Sequence, residues 1–345
     1  MLFDKCFYGL PHVIDARQFD LPLMERIFKE AEEMRNVVAR GGCNILRRKR
    51  MMSLFYEPST RTRFSFEMAM SYLGGEVFQT ENAKEFSSAV KGESLEDTIR
   101  VLCGYKPNVI VIRHSQDGAA AAALAVSGPV SIMNAGDGKE QHPTQAVLDV
   151  FTIRRELGHI DGLSIAMVGD LGASRVVNSD CYLLGKYNPE IIYFVSPEHT
   201  KVKPGIKEYL ERHNIKFCEV TDLRKVASKV DVIYQTRTQT ERGTALDRND
   251  HSLGFFIVNK EILSLMKKDA IIMHPLPRND EIAPEVDRDP RAAYFRQAEN
   301  GLYVRMALLK MALVPQREHW FASLLKMLPF SFAKKSQSAR IGSAA

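Results

Sequence analysis

Between Leu21 and Val38 the apolar residues Leu23, Ile27, Ala31 and Met34 recur at intervals of three and four, the period of one buried helix face. After this helix the pattern changes. Short apolar runs rich in β-branched residues follow: Met51–Tyr56, Val109–Arg113, Val130–Asn134, Ser164–Leu171, Ile191–Val195, Val232–Gln235 and Ala270–Met273. Longer helix-like stretches separate many of them. Buried strands alternating with helices predict an α/β fold with parallel sheets. The helix containing Gln145–Arg155 leads to Leu157-Gly158 and a new strand, so a boundary is expected near 150. This gives two doubly wound domains, 1–150 and 151–300, linked by helices. Residues 301–315 are expected to form a C-terminal helix packed back on the first domain. Residues 316–345 read as a basic amphipathic tail, partly disordered: Trp320, Phe321, Leu324, Leu325 and Leu328 share one helical face, which Pro329 ends.

Several of the runs end in polar clusters. Met51–Tyr56 leads to Glu57-Pro58-Ser59-Thr60-Arg61-Thr62-Arg63, and Val109–Ile112 leads to Arg113-His114. Val130–Asn134 leads to Gly136-Asp137-Gly138 and then His142-Pro143-Thr144-Gln145. In the second half, Arg175, then Arg237 with Gln239 and Arg242, then His274-Pro275-Leu276-Pro277-Arg278 occupy corresponding places. Open parallel sheets bind ligands outside the carboxyl ends of their strands. Clusters at six strand ends in both halves therefore predict one active site in the interdomain cleft.

Composition narrows the class. With 45% hydrophobic and 26% charged residues, the 345-residue chain is ordinary for a globular protein. No stretch offers the roughly 20 apolar residues of a membrane span. Near the start stands Asp4 with no long apolar run, so no secretory leader is expected. Lys and Arg number 47 against 42 Asp and Glu. Five of the basic residues and a single acid lie in 316–345, so the body is nearly neutral and no nucleic-acid partner is expected. The cysteines Cys6, Cys43, Cys103, Cys181 and Cys218 are too far apart in sequence for a knuckle or redox pair, and suggest a reducing, cytoplasmic setting.

The clusters suggest their own chemistry. Ser59 or Thr60 can start a helix whose free N–H groups, with Arg61 and Arg63, suit a phosphate. His142 and Gln145, three apart at a helix start, can donate to a carbonyl oxygen and accept from an amine. Arg175, Arg237 and Arg242 suit a substrate with more than one carboxylate, or salt bridges to Asp170, Glu241 or Asp247. The polar loop Ser87–Glu93 brings a mobile cation, Lys91. No compact metal-ligand set is seen, and the Gly169/Gly172 pair is a fragment of a dinucleotide fingerprint without its third glycine.

Together these residues resemble the carbamoyltransferases. Ser59-Thr60-Arg61-Thr62-Arg63 with Phe64-Ser65-Phe66-Glu67 looks like their phosphate motif, and His142-Pro143-Thr144-Gln145 matches as well. Ser87 through Lys91-Gly92-Glu93, Arg237-Thr238-Gln239 with Glu241-Arg242, and His274-Pro275-Leu276-Pro277-Arg278 resemble the aspartate branch rather than the ornithine branch. The resemblance implies transfer of the carbamoyl group of carbamoyl phosphate to L-aspartate, giving N-carbamoyl-L-aspartate and phosphate on the way to pyrimidines. It makes 1–150 the carbamoyl phosphate-binding domain and 151–300 the aspartate-binding domain. It implies that Ser59, Thr60, Arg61 and Thr62 hold the phosphate, and that Thr62, Arg113 and His142 contact the carbamoyl oxygen. Gln145 and the carbonyls near Leu276 and Pro277 would orient the carbamoyl nitrogen. Arg175, Arg237, Gln239 and Lys91 would bind aspartate, with Ser87 and Lys91 coming from an adjacent subunit of a homotrimer. Glu57 would pair with Arg175 and Arg242 in domain closure. No cofactor, metal or membrane is implied. A regulatory or other partner subunit could dock on the tail.

One departure stands out. After Arg175 the family usually has threonine, then valine and histidine; here Val176, Val177 and Asn178 stand before Ser179. Val176 lacks a hydroxyl near the expected aspartate carboxylate, which keeps open a different amino-acid acceptor. A non-catalytic trimeric scaffold is the other alternative, and the retained site residues argue against it.

Overall fold

The computed structural model describes residues 10–80, 82–86, 88–237 and 256–315. Ser87, Gln239, Arg242 and the tail from 316 onwards lie outside these residues. Helix α1 (Leu21–Ala39) begins where the Asp20 carboxylate accepts the Leu23 N–H at 2.8 Å, and it buries Met24, Ile27, Phe28, Ala31 and Met34. Then come β1 (Arg50–Phe55), α2 (Thr60–Tyr72), β2 (Glu76–Thr80), the short α3 (Ala83–Phe86), α4 (Leu95–Gly104), β3 (Val109–His114), α5 (Ala119–Val126), β4 (Ser131–Asp137) and α6 (Pro143–Leu157). The four strands form a parallel sheet in the order β2-β1-β3-β4.

The second half repeats the scheme with β5 (Ser164–Val168), α7 (Arg175–Leu184), β6 (Ile191–Val195), α8 (Pro204–Arg212), β7 (Phe217–Val220), β8 (Val232–Gln235), α9 (Lys260–Leu265) and β9 (Ile271–Met273). Its parallel sheet runs β7-β6-β5-β8-β9. The chain then returns through α10 (Tyr294–Leu313), which packs on α1, α2 and α6.

In both sheets the strand order reverses direction at one point, between β1 and β3 and between β5 and β8. The crevice at such a reversal is where a ligand fits. There Phe55 pairs with Arg113 and Val168 with Gln235, so the two reversals aim their carboxyl ends at a common cleft.

One apolar core runs through both sheets and collects α1, α6, α7 and α10; separate clusters cover the outer faces. Helix α6 is buried from Pro143 to Ile153 without a break. A helix submerged on all sides cannot rotate without disturbing its neighbours, which fixes what its side chains face. Among the described residues, no helix is long and apolar enough to cross a membrane.

Candidate active site

A cavity of about 560 Å³ lies between the sheets. The first sheet contributes the start of α2. Ser59 takes the N-cap position in extended backbone but makes no side-chain cap bond, so its hydroxyl is not spent on the helix. Ser59, Thr60, Arg61, Thr62 and Ser65 line the cavity. The two arginines expected to act together do not. Residues two apart lie on different sides of a helix. Arg61 faces the cleft, whereas Arg63 is buried, bonded to Gln79 and 3.7 Å from Glu67.

Arg113 enters from the end of β3. Its Nη1 donates to the Ala135 carbonyl at 3.2 Å, and its Nε lies 3.4 Å from Glu57 Oε2. The same Glu57 oxygen accepts from Arg175 Nη2 at 3.0 Å, and Arg175 Nη1 donates to the Gly138 carbonyl at 2.9 Å. One carboxylate of the first domain therefore joins an arginine from each sheet. Gly136 makes room for both: at φ +115, a Cβ there would lie 3.0 Å from Arg175 Cζ and 3.3 Å from Arg113 Nη1. Asp170 also has a local role, since its Oδ1 accepts the Ala173 N–H at 3.2 Å.

His142 and Gln145 reach the cavity from the first turn of α6. The start of α7 grips this turn from the second domain. Ser179 Oγ accepts the His142 backbone N–H at 2.9 Å and donates to Gln141 Oε1 at 3.1 Å, while Asn178 Nδ2 donates to the Lys139 carbonyl at 3.2 Å. Val176 lines the cavity beside Arg175.

The far wall is Thr236, Arg237 and His274-Pro275-Leu276-Pro277. Burial, with the like charge of Arg237, lowers the Arg61 pKa. Two cations that share one cleft mark a place for an anion of more than one charge. The His274 ring orders the loop that follows: its Nδ1 accepts the Leu276 N–H at 2.8 Å, which leaves Nε2 to donate to Glu281 at 2.9 Å. Burial holds His274 below the usual histidine range, so this neutral tautomer persists at neutral pH. The loop keeps Leu276 at φ +52, with a cis Leu276-Pro277 bond.

Other parts of the expectation fall elsewhere. Lys91 is exposed, on a 3-10 turn, and does not line this cavity. Gly169 serves packing, since at φ +116 a Cβ would lie 2.4 Å from the Thr236 carbonyl. Sequence reading missed Ser174, Thr236, Gln297, Ala298 and Arg305, which also line the cavity. Arg305 carried one signal, a lone charge in the apolar run Tyr303–Leu309. Among the described residues, no group of three or more His, Cys, Asp or Glu is placed to hold a metal ion.

Two family models match the chain. The carbamoyl-P binding domain of aspartate/ornithine carbamoyltransferase matches residues 11–155, and the Asp/Orn binding domain matches 161–312. Aspartate carbamoyltransferase 3, chloroplastic, of Pisum sativum is 55% identical over 309 residues, 89% of this chain and 78% of that protein. The aspartate carbamoyltransferase catalytic subunit of Thermoplasma acidophilum is 44% identical over 298 residues, 86% of this chain and 96% of that protein. The crystal structure of Trypanosoma cruzi aspartate transcarbamoylase in complex with N-(phosphonacetyl)-L-aspartic acid superposes with a TM-score of 0.83 at 38% identity, covering 88% of this chain and 95% of that one.

Proposed function

Because the chain belongs to the aspartate/ornithine carbamoyltransferase family, we propose the following account of its cleft. It transfers the carbamoyl group of carbamoyl phosphate to the amine of L-aspartate, giving N-carbamoyl-L-aspartate and phosphate in pyrimidine biosynthesis. One observation carries the reading: a helix start suited to phosphate, Ser59–Thr62, faces Arg175 and Arg237 across a single cavity.

The residue types support a direct displacement. The uncharged aspartate amine attacks the carbamoyl carbon, the carbon–oxygen bond to phosphate breaks, and the departing phosphate takes the amine proton. Thr62, Arg113 and His142 meet the charge that develops on the carbamoyl oxygen. Gln145 and the Leu276 and Pro277 carbonyls accept from the carbamoyl nitrogen. Ser59, Thr60 and Arg61 receive the phosphate, with the α2 N-terminus behind them. Arg175, Arg237 and Gln239 take the aspartate carboxylates. Most of the acceleration then comes from positioning and preorganised charge.

The Glu57 bridge supports a role in bringing the domains together, with Arg242 as the further partner. Glu57→Gln is therefore expected to raise the aspartate KM at least about fivefold more than it raises the carbamoyl phosphate KM, by analogy with the loss of a charge-assisted bond. Equal increases in steady-state assays would count against it. Val176→Thr restores a hydroxyl beside Arg175 and is expected to lower the aspartate KM about tenfold, the worth of one hydrogen bond to a charged group. An unchanged KM would sink that claim.

In our reading the working form is a homotrimer in which Ser87 and Lys91 of a neighbouring copy complete each cleft. The exposed Lys91, and the exposed apolar side chains Phe64, Phe78, Val101 and Tyr105, support a subunit face on the first domain. Sedimentation of the purified chain tests this. A reducing compartment suits the free Cys43, Cys103, Cys181 and Cys218. The plant relatives are named chloroplastic, so the plastid stands beside the cytoplasm expected from sequence, and cell fractionation decides between them.

The purified chain, given carbamoyl phosphate with L-aspartate or L-ornithine in parallel, tests the function. Ureido product is expected from aspartate alone. Product from another amine would move the acceptor assignment, and the absence of product from any acceptor would overturn the reading.

A further inference from the structure

Beside the cavity lies a buried polar cluster of which the mechanism above uses only Gln145. Asp149 of α6 is its hub. Its Oδ1 accepts from Gln145 Nε2 at 2.9 Å and from Gln297 Nε2 at 2.6 Å, and its Oδ2 accepts the Tyr234 hydroxyl at 2.7 Å. Arg305 of α10 adds an attractive charge, its guanidinium stacked 5.1 Å from the Phe66 ring. Gln297 also reaches the opposite wall, where its Oε1 accepts the His274 backbone N–H at 2.8 Å. Asp149 is thus tied directly to Gln145 and, through Gln297 and His274, to the loop that carries Leu276 and Pro277.

Asp180 of α7 stands against the same cluster, 2% exposed, and neither of its carboxylate oxygens has a donor of its own, because the nearby Tyr234 hydroxyl gives its proton to Asp149. Its neighbours are the Asp149 carboxyl, the Tyr234 hydroxyl and the Cys181 thiol. A charged carboxylate without a donor is not sustained in such a place, but a neutral acid is, because it becomes a donor itself. Asp149, with three donors and Arg305, is the member that can carry the charge. Burial raises the affinity of both groups for protons, and the nearness of Asp149 raises that of Asp180 further.

We propose that Asp180 is a positioning residue: as a neutral acid it donates a shared proton to Asp149, and the pair turns Gln145 and, through Gln297, the Leu276–Pro277 loop so that their carbonyls read the carbamoyl amine. A carboxylate only accepts, so the Gln145 amide must turn its NH₂ towards Asp149, which leaves Oε1 for the cleft. An acceptor there rewards a donor substrate. Carbamoyl phosphate presents an NH₂ where acetyl phosphate presents a methyl group, so the pair sets a preference between acyl donors. This inference rests on the carbamoyl-transfer reading.

The test is the ratio of kcat/KM for carbamoyl phosphate to that for acetyl phosphate, with aspartate as acceptor, in the wild type, Asp180→Leu and Asp180→Asn. Asp180→Leu is expected to lower the ratio about tenfold, the worth of one buried hydrogen bond. Asp180→Asn keeps an N–H donor towards Asp149 and should restore the ratio to within about threefold. The shared proton leaves as pH rises, so the wild-type ratio should fall on the alkaline side while that of Asp180→Asn stays flat. This last comparison decides the matter even if Asp180→Leu does not fold. Equal losses with both donors in Asp180→Leu, an amide variant as impaired as the leucine one, or the same alkaline fall in wild type and Asp180→Asn would each overturn the inference. A wild type that makes no ureido product would instead overturn the reading beneath it.

Discussion

Arg113→Ala is expected to lower kcat by about 10²–10³, the cost of removing one preorganised oxyanion donor. Three contacts hold this guanidinium before substrate arrives: the Ala135 carbonyl, Glu57, and the bare surface of Gly136. No reorganisation is then needed when charge builds on the carbamoyl oxygen, so the loss belongs to the transition state and appears in kcat. Arg113→Lys is not expected to rescue it. An ammonium is a point charge and lacks the planar fork that satisfies a carbonyl and a carboxylate together. Steady-state kinetics in both substrates check this. A rise in KM with kcat unchanged would place Arg113 in ground-state binding instead.

Arg61→Met should cut kcat/KM for carbamoyl phosphate by roughly two to three orders of magnitude, in the range found when one member of a desolvated charge pair is truncated. Its effect on stability should have the opposite sign. Arg61 and Arg237 repel across the cleft, so removing one charge relieves the protein without ligand. Thermal unfolding without phosphate should therefore occur no lower than in the wild type. Added phosphate should raise the wild-type unfolding temperature through linkage and raise that of Arg61→Met much less. Parallel losses of activity and unliganded stability would mean that Arg61 holds the fold rather than the ligand.

Much of this cleft was legible because parallel sheets deliver their ligands to one edge. Runs that end in Glu57–Arg63, in Arg113 and in Arg237 announce that edge in one dimension. What was illegible depends on rotation or on distance along the chain. Arg61 and Arg63 look equivalent in sequence, and only the helix sends them to different sides. Asp149 meets Gln297 across 148 residues and Tyr234 across 85, and no local pattern signals either contact. Strand β7 was missed because, at the sheet edge, Phe217–Val220 leaves Cys218 and Glu219 exposed and lacks the continuous apolar run of a central strand. Val176 was visible as a departure, whereas the grip of Ser179 and Asn178 on the His142 turn needed the packing of α7.

The return of α10 bears on how the chain is made. This helix fills the space between α1, α2 and α6 with Val304, Met306, Leu308, Leu309 and Ala312, yet it is among the last described segments to leave the ribosome. The first sheet and its helices emerge some 140 residues earlier and wait with that groove uncovered. The half synthesised first is thus the half completed last, and the burial that closes it also brings Gln297 and Arg305 to the cleft. A nascent chain has no finished cleft until α10 docks, so a ribosome that stalls in the second sheet is expected to release an inactive product with an open apolar groove.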